Sequence, residues 1–214
     1  MKYSKKEIFL STALCLLPIL MGLYLWNDLP DMVPTHFNVN NEPDGWSSKA
    51  FAVFGLPGIM AGLNFLCLFG VSADPKYHRQ AAVLQKLFLW FVPALSCVLM
   101  PITLLMALGH EIDLGGIISV FMGVVFVVVG NYLPKCRQNY TMGIKLPWTL
   151  SDENNWNYTH RLGGFCWVVG GFLVTLAGLL RMELLLFPIV LFMVLVPCTA
   201  SYLYYRRHGK GEEA

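Results

Sequence analysis

Charge is what this sequence has least of. Only 13% of its 214 residues are Asp, Glu, Lys or Arg, against about 25% in an ordinary soluble domain. With 56% hydrophobic residues, the chain cannot cover itself with polar groups in water, so an integral membrane protein is the reading and a soluble globular fold is excluded. A net charge of +2 gives no footing for nucleic-acid binding. Cysteine patterning is missing as well. Cys15, Cys67, Cys97, Cys136, Cys166 and Cys198 form no Cys-x-x-Cys pair, and five of them lie in hydrophobic runs. Neither a disulfide framework nor a zinc site is expected. There is no Gly-x-Ser-x-Gly, no His-Glu-x-x-His and no glycine-rich phosphate loop, so no enzymatic activity, catalytic residue or cofactor is expected.

What the sequence does have is six hydrophobic runs: Ile8–Trp26, Ala50–Val71, Leu87–Leu108, Leu114–Leu133, Leu162–Leu180 and Leu184–Tyr204. Each is 19 to 22 residues long and carries no charged residue, enough for a helix to cross a hydrocarbon core about 30 Å thick. A helix satisfies its own backbone hydrogen bonds, which lipid cannot do. The fold class is therefore all-α, with six transmembrane helices. Lys2, Lys5 and Lys6 precede the first run as they would a signal peptide. That run is long, however, and Tyr24-Leu25-Trp26-Asn27 lacks a small-residue cleavage pattern, so it reads as a retained helix.

Lys and Arg set the expected orientation. The N-terminus (Lys2, Lys5, Lys6), the second connection (Lys76, Arg79, Lys86), the fourth (Lys135, Arg137, Lys145, Arg161) and the tail (Arg206, Arg207, Lys210) hold 13 basic residues, and the other side holds two, Lys49 and Arg181. Both termini are expected in the cytoplasm, with loop 134–161 inside and loop 27–49 outside. The chain divides into an N-terminal three-helix half, 1–108, and a C-terminal half, 109–214. Asn27-Asp-Leu-Pro30 is echoed by Asn131-Tyr-Leu-Pro134, Trp46-Ser by Trp148-Thr, and Pro93 with Pro101 by Pro188 with Pro197. These echoes suggest a 3+3 inverted repeat.

The outer loop 27–49 reads as a short extracytoplasmic cap. Pro30, Pro34 and Pro43 forbid a long helix. His36-Phe-Asn-Val predicts a short strand, and Asp44-Gly45 predicts a turn. Asp28, Asp31, Glu42 and Asp44 give the cap an acidic face that would attract a cationic ligand. His36, Asp44 and Trp46 are its candidate ligand-binding residues. Metal-ligand spacing is absent, so no metal is expected.

Glycines inside the runs predict packing. Gly116, Gly123 and Gly130 recur every seven residues, with Ser119 beside them, and so do Gly164, Gly171 and Gly178 beside Gly163, Gly170 and Ala177. Small faces let helix backbones approach closely in lipid. Runs four and five should pack together, with Asn139–Arg161 held over their ends.

That stretch packs Asn, Thr, Asp, Glu, His, Lys, Arg and two Trp into 23 residues. Pro147 should hold Leu146 extended and deliver Trp148 to the membrane interface. Thr149 with Asp152 reads as a capping box, and Ser151 as a second cap, for a short helix Ser151–Arg161. Asp152 and Glu153 suit its start, and His160 and Arg161 its end. Trp156 and His160 share a face, which Gly163 continues. Two roles stay open: a brace that seats run five, or a cytoplasmic surface that couples to a partner.

Gly130-Asn131, Asn139, Gly143-Ile144-Lys145-Leu146-Pro147-Trp148-Thr149-Leu150, Trp156 and Arg161, with the tail Ala200-Ser-Tyr-Leu-Tyr-Tyr-Arg-Arg207, resemble the signature of the SdpI family of bacterial membrane immunity proteins. The outer segment, Leu29-Pro30 through Pro34-Thr-His36-Phe-Asn and Asp44-Gly-Trp-Ser-Ser-Lys49, resembles the uncharacterised module often fused ahead of it. The resemblance implies six helices, a bacterial plasma-membrane location and protection against a secreted peptide toxin. It also implies signalling through a small cytoplasmic transcriptional repressor held at the membrane. Where the family often has Arg-Thr before Pro-Trp, this chain has Lys145-Leu146, losing a forked guanidinium and a hydroxyl. The alternative reading is a small transporter or exporter with two inverted halves. Polar residues at membrane depth for it are few: Asn64, Asn131 near the end of run four, and Gln85 with Lys86 at the edge of run three.

Overall fold

The computed structural model describes residues 3–38, 41–73 and 82–208. In order these are α1 (Lys5–Cys15), α2 (Pro18–Tyr24), β1 (Met32–Phe37), β2 (Pro43–Ser48), a π-turn (Phe51–Gly55) leading into α3 (Leu56–Ala73), and α4 (Ala82–Ala107). There follow α5 (Leu114–Tyr132) with a 3-10 turn (Leu133–Lys135), α6 (Pro147–Ser151), α7 (Glu153–Leu179), and α8 (Leu186–His208) behind a second 3-10 turn. Six of the resulting stretches are long and apolar enough to cross a membrane: Lys5–Tyr24, Phe51–Ala73, Ala82–Ala107, Leu114–Lys135, Glu153–Leu179 and Glu183–His208. They match the six hydrophobic runs. Of the basic residues that set the expected orientation, Lys2, Lys76, Arg79 and Lys210 lie outside the described residues.

The chain forms two compact units, Met1–Ala73 with Gln85–Leu114, and Asp74–Leu84 with Gly115–Ala214. In the first, α1 starts on a reciprocal cap: the Glu7 N–H donates to Ser4 Oγ (3.2 Å) and the Ser4 N–H to Glu7 Oε2 (2.8 Å). The first run is not one unbroken helix. Pro18 has no N–H to give the Leu14 carbonyl, and its ring crowds the preceding turn. The Leu14 carbonyl takes the Leu17 N–H instead (3.2 Å), and α4 adds bonds there: Cys97 Sγ donates to Leu14 O (3.5 Å) and Ser96 Oγ to Cys15 O (2.9 Å). Asn64 of α3 donates to Ser11 Oγ and Thr12 Oγ1, each at 3.2 Å. Polar side chains thus lock α1 to both α3 and α4. An apolar cluster of Leu29, Val53 and Leu104, with Trp26 and Leu108 against it, closes this unit beneath the hairpin.

The strands pair antiparallel, Met32 opposite Ser48, Pro34 opposite Trp46 and His36 opposite Gly45, with irregularities on both sides of His36. The expected turn at Asp44-Gly45 is therefore wrong, since both residues lie in β2. Asn38 N–H instead donates to Glu42 O (2.9 Å), closing the hairpin there. Gly45 sits where a Cβ would stand 2.9 Å from His36 Cβ, so a bulge, not a turn, needs the glycine.

In the second unit α5 and α7 run antiparallel with their glycines interleaved. A Cβ at Gly164 would lie 2.7 Å from Gly130 O, one at Gly171 2.7 Å from Gly123 O, and one at Gly178 3.1 Å from Gly116 O. Each step of seven along one helix matches a step of seven back along the other, as the two glycine series predict. On another face of α7, Gly170 meets the Met193 side chain of α8.

Candidate functional site

Two places hold the sequence-predicted site residues. The first is the hairpin. His36 Nδ1 and Asp44 Oδ1 are 2.5 Å apart across the bulge, and Trp46, two residues on, is 55% exposed. The hairpin is stiffly mounted. Lys49 Nζ donates to Trp26 O (3.0 Å) and lies over that indole, 5.4 Å from its centroid. Asn41, at φ 63°, donates to Ile112 O (2.7 Å) and accepts from the Leu114 N–H (3.1 Å). Among the described residues no group of three His, Cys, Asp or Glu is placed to hold a metal.

The second place is the connection from α5 to α7. Asn139 is its keystone. Its amide donates to Arg137 O (2.8 Å) and Met142 O (3.0 Å), and its Oδ1 accepts from the N–H groups of Thr141 (2.8 Å) and Met142 (2.6 Å). Trp156, fully buried, donates from Nε1 to Cys136 O (2.7 Å) and stacks on His160 at 4.0 Å. The Ile144 N–H donates to His160 Nε2 (3.0 Å). The ring proton is therefore on Nδ1, which donates to Trp156 O (2.8 Å). Gly143, at φ +103°, passes so close to His160 that no Cβ fits. Burial pushes the Cys136 thiol up to about 11, against a smaller opposing effect of the Asn139 amide.

Leu146 is extended before Pro147 (φ −120°, ψ 154°), as the proline requires. The capping assignment that sequence suggested is corrected, however. Thr149 does not cap the helix opened by Asp152. Its hydroxyl accepts from the Leu146 N–H (2.9 Å) and donates to Ile144 O (3.0 Å), closing the single turn of α6. Asp152 alone caps α7, accepting from the Asn154 N–H (2.8 Å). Nor does a short helix end at Arg161. α7 runs unbroken to Leu179, because Leu162-Gly163-Gly164 contains no proline and those glycines are filled by Ile144 and Pro134.

Trp148 reaches α8. Its Nε1 donates to Ser201 Oγ (3.0 Å), and its ring lies against Tyr202 and Tyr205. Ser201 in turn donates to Asn155 Oδ1 (2.8 Å) and accepts from Thr159 Oγ1 (2.7 Å), while the Asn155 amide donates to Ser201 O (3.2 Å). Asn155, Thr159 and Ser201 are fully buried. Gln138 clamps α6 from the other side, donating to Thr149 O (3.0 Å) and Leu150 O (2.9 Å).

The structure thus brings together Asn139, Gly143, Pro147, Trp148, Thr149 and Trp156. It leaves Asn131, Lys145 and Arg161 exposed outside this network, with Lys145 Nζ donating to Tyr140 O and Thr141 O. Sequence reasoning missed Asn155, Thr159 and Ser201 as one cluster. The available signals were the i, i+4 pair Asn155 and Thr159 on the Trp156–His160 helix and the place of Ser201 in the tail that resembles the family; their meeting across 46 residues gave none. A polar pocket of about 550 Å³ opens beside the network, walled by Lys135, Arg137, Gln138, Glu153 and Asn157.

Comparison with known proteins draws on both places. Residues 13–61, ending just beyond the hairpin, match a domain of unknown function, DUF1648. Residues 135–201, from the pocket's first cation to the Ser201 hub, match the SdpI/YfhL protein family. The chain is 28% identical to "Immunity protein SdpI" of Bacillus subtilis (strain 168) over 210 residues, 95% of this chain and 97% of that protein. No solved structure matches. Six membrane-crossing helices and this likeness make the protein a multi-pass plasma-membrane protein. The Asn139–Ser201 network lies inside the segment that is similar to the SdpI/YfhL protein family, and the hairpin lies inside the segment that matches DUF1648.

Proposed function

We propose that this protein protects its cell from a secreted peptide toxin, with the β1–β2 hairpin as the toxin-facing element. The observation that carries the reading is the likeness to an immunity protein along 95% of the chain. The hairpin suits that role because it is fixed at both ends and presents Asp44, His36 and a largely exposed indole at Trp46. A cationic amphipathic peptide would find a carboxylate and an aromatic face there. The loop 134–161 is the inner element of the proposal. Asn139, Gly143, Pro147, Trp148, Thr149 and Trp156 brace it, and the exposed Lys145 and Arg161, with Asn131, form the surface on which a small cytoplasmic repressor would be held.

The test is expression in a toxin-sensitive cell. The wild type should restore growth, and Trp46→Ala or Asp44→Ala should raise sensitivity by roughly tenfold or more if these are anchors of the contact. Lys145→Ala with Arg161→Ala should leave protection intact and abolish repressor recruitment. A wild type that protects against no secreted peptide toxin in a representative panel overturns the immunity reading.

A further inference from the structure

We propose that the polar pocket between Lys135–Gln138 and the first turn of α7 holds the phosphodiester headgroup of a membrane phospholipid. Its volume, about 550 Å³, falls within the range of small-molecule sites, roughly 300–1,000 Å³. Its lining does not fit the usual apolar ligand of such sites. Two cations, Lys135 and Arg137, line it together with a carboxylate, Glu153, and the amide of Asn157 one helical turn further on. The phosphodiester belongs on the cations, and headgroup hydroxyls or an ammonium on Glu153 and Asn157.

Position selects lipid as the source. One membrane-crossing stretch ends at Lys135 and the next begins at Glu153, so the pocket lies where hydrocarbon gives way to headgroups. Lys135 Nζ sits over the Tyr132 ring, 4.8 Å from its centroid, an aromatic–cation pair typical of that depth. Basic pockets between transmembrane helices are headgroup sites on general electrostatic grounds. The pocket is also built before any ligand arrives. Trp156 holds the Cys136 carbonyl, Asn139 holds the turn that follows Arg137, and Gln138, itself part of the lining, is tied to Thr149 O of α6. A fixed backbone spares the ligand the cost of ordering it. Asn139 and Trp156, inside the matched segment, thereby act as the scaffold of a lipid site.

The experiment uses the full chain purified in detergent, with native mass spectrometry of adducts formed with phosphatidylglycerol, phosphatidylethanolamine or phosphatidylcholine. Inorganic phosphate and glycerol 3-phosphate serve as soluble competitors. Phospholipid should be retained, K135Q/R137Q should weaken retention about tenfold or more, and Arg206→Gln, a cation on α8 outside the pocket, should not. Asn157→Trp keeps both cations and fills the pocket, so it should match the double variant, and it decides the matter if that variant does not fold. Retention unchanged in both variants means lipid bound only around the helices, and overturns the proposal. Displacement by equimolar inorganic phosphate reassigns the pocket to a soluble anion, and displacement by an equimolar acidic peptide reassigns it to a protein partner; either overturns it. Adducts are read without any toxin, so failure here is separable from failure of the immunity reading.

Discussion

Gly143 shows how little room the inner connection leaves. Its φ of +103° suits glycine alone, and a Cβ there would run into the His160 ring that accepts the Ile144 N–H. Gly143→Ala should cost about 3 kcal/mol or more from backbone strain and overpacking together. Gly58→Ala, at a helical glycine with nothing within 4 Å, should stay within about 0.5 kcal/mol. Thermal unfolding of the detergent-purified variants separates the two, and equal melting points would contradict the described contact. Cys136 gives a chemical test at the same scale. Its thiol is raised from an ordinary value near 9 to about 11 by burial, so only about one molecule in a thousand is thiolate at pH 8. The raised value means that the folded state holds this proton more tightly than the unfolded chain. The resulting stabilisation is complete below pH 9 and disappears as pH rises through 11. Iodoacetamide at pH 8 should leave Cys136 unlabelled in the native protein and label it after SDS unfolding, as mass mapping would show.

Between elements, stability rests on two kinds of junction. At the α5–α7 seam, backbone meets backbone, with 2.7 Å the distance from a built Cβ at Gly164 to Gly130 O. Gly164→Val should separate the helices and cost on the order of 3 kcal/mol or more, lowering the yield of folded protein on size-exclusion chromatography. At the inner end of the α7–α8 junction the contact is polar, Asn155 and Thr159 meeting Ser201. Ser201→Ala should cost about 1–3 kcal/mol because Trp148 Nε1 loses its acceptor and Asn155 Oδ1 keeps only the Thr159 hydroxyl of its two donors. Combining it with Trp148→Phe should cost less than the sum of the two single changes. Additive melting shifts would mean that the two side chains do not act through one hub. The seam was legible in sequence because a repeat of seven is itself a statement about a helix face. The hub was not, because Asn155 and Ser201 are joined only by the return of α8 along α7. Asp44-Gly45 misled for a related reason. The pair is a common turn signal, and what the bulge needs at Gly45, the absence of a Cβ opposite His36, is a property of the partner strand.

At the scale of the whole molecule, six membrane-crossing helices follow from hydrophobic length alone, and the position of the cations gives an expectation for sidedness. Thirteen basic residues lie on the side assigned to the cytoplasm and two on the other, a bias that sets topology during insertion. Of those thirteen, Lys135 and Arg137 also wall the polar pocket. The same cations would then both orient the chain and bind headgroups of the leaflet that retained them. This makes sidedness a sharp prediction. Asp44→Cys, on the exposed hairpin, and Lys145→Cys, on the exposed part of the inner connection, are placed to react with a membrane-impermeant maleimide on opposite sides. In intact cells Asp44→Cys should label above the parent chain and Lys145→Cys should not. Lysis should bring Lys145→Cys to the same extent. The reverse pattern would place the hairpin in the cytoplasm, where no secreted toxin could meet it, and would remove the basis for a toxin-facing role while leaving the described fold untouched.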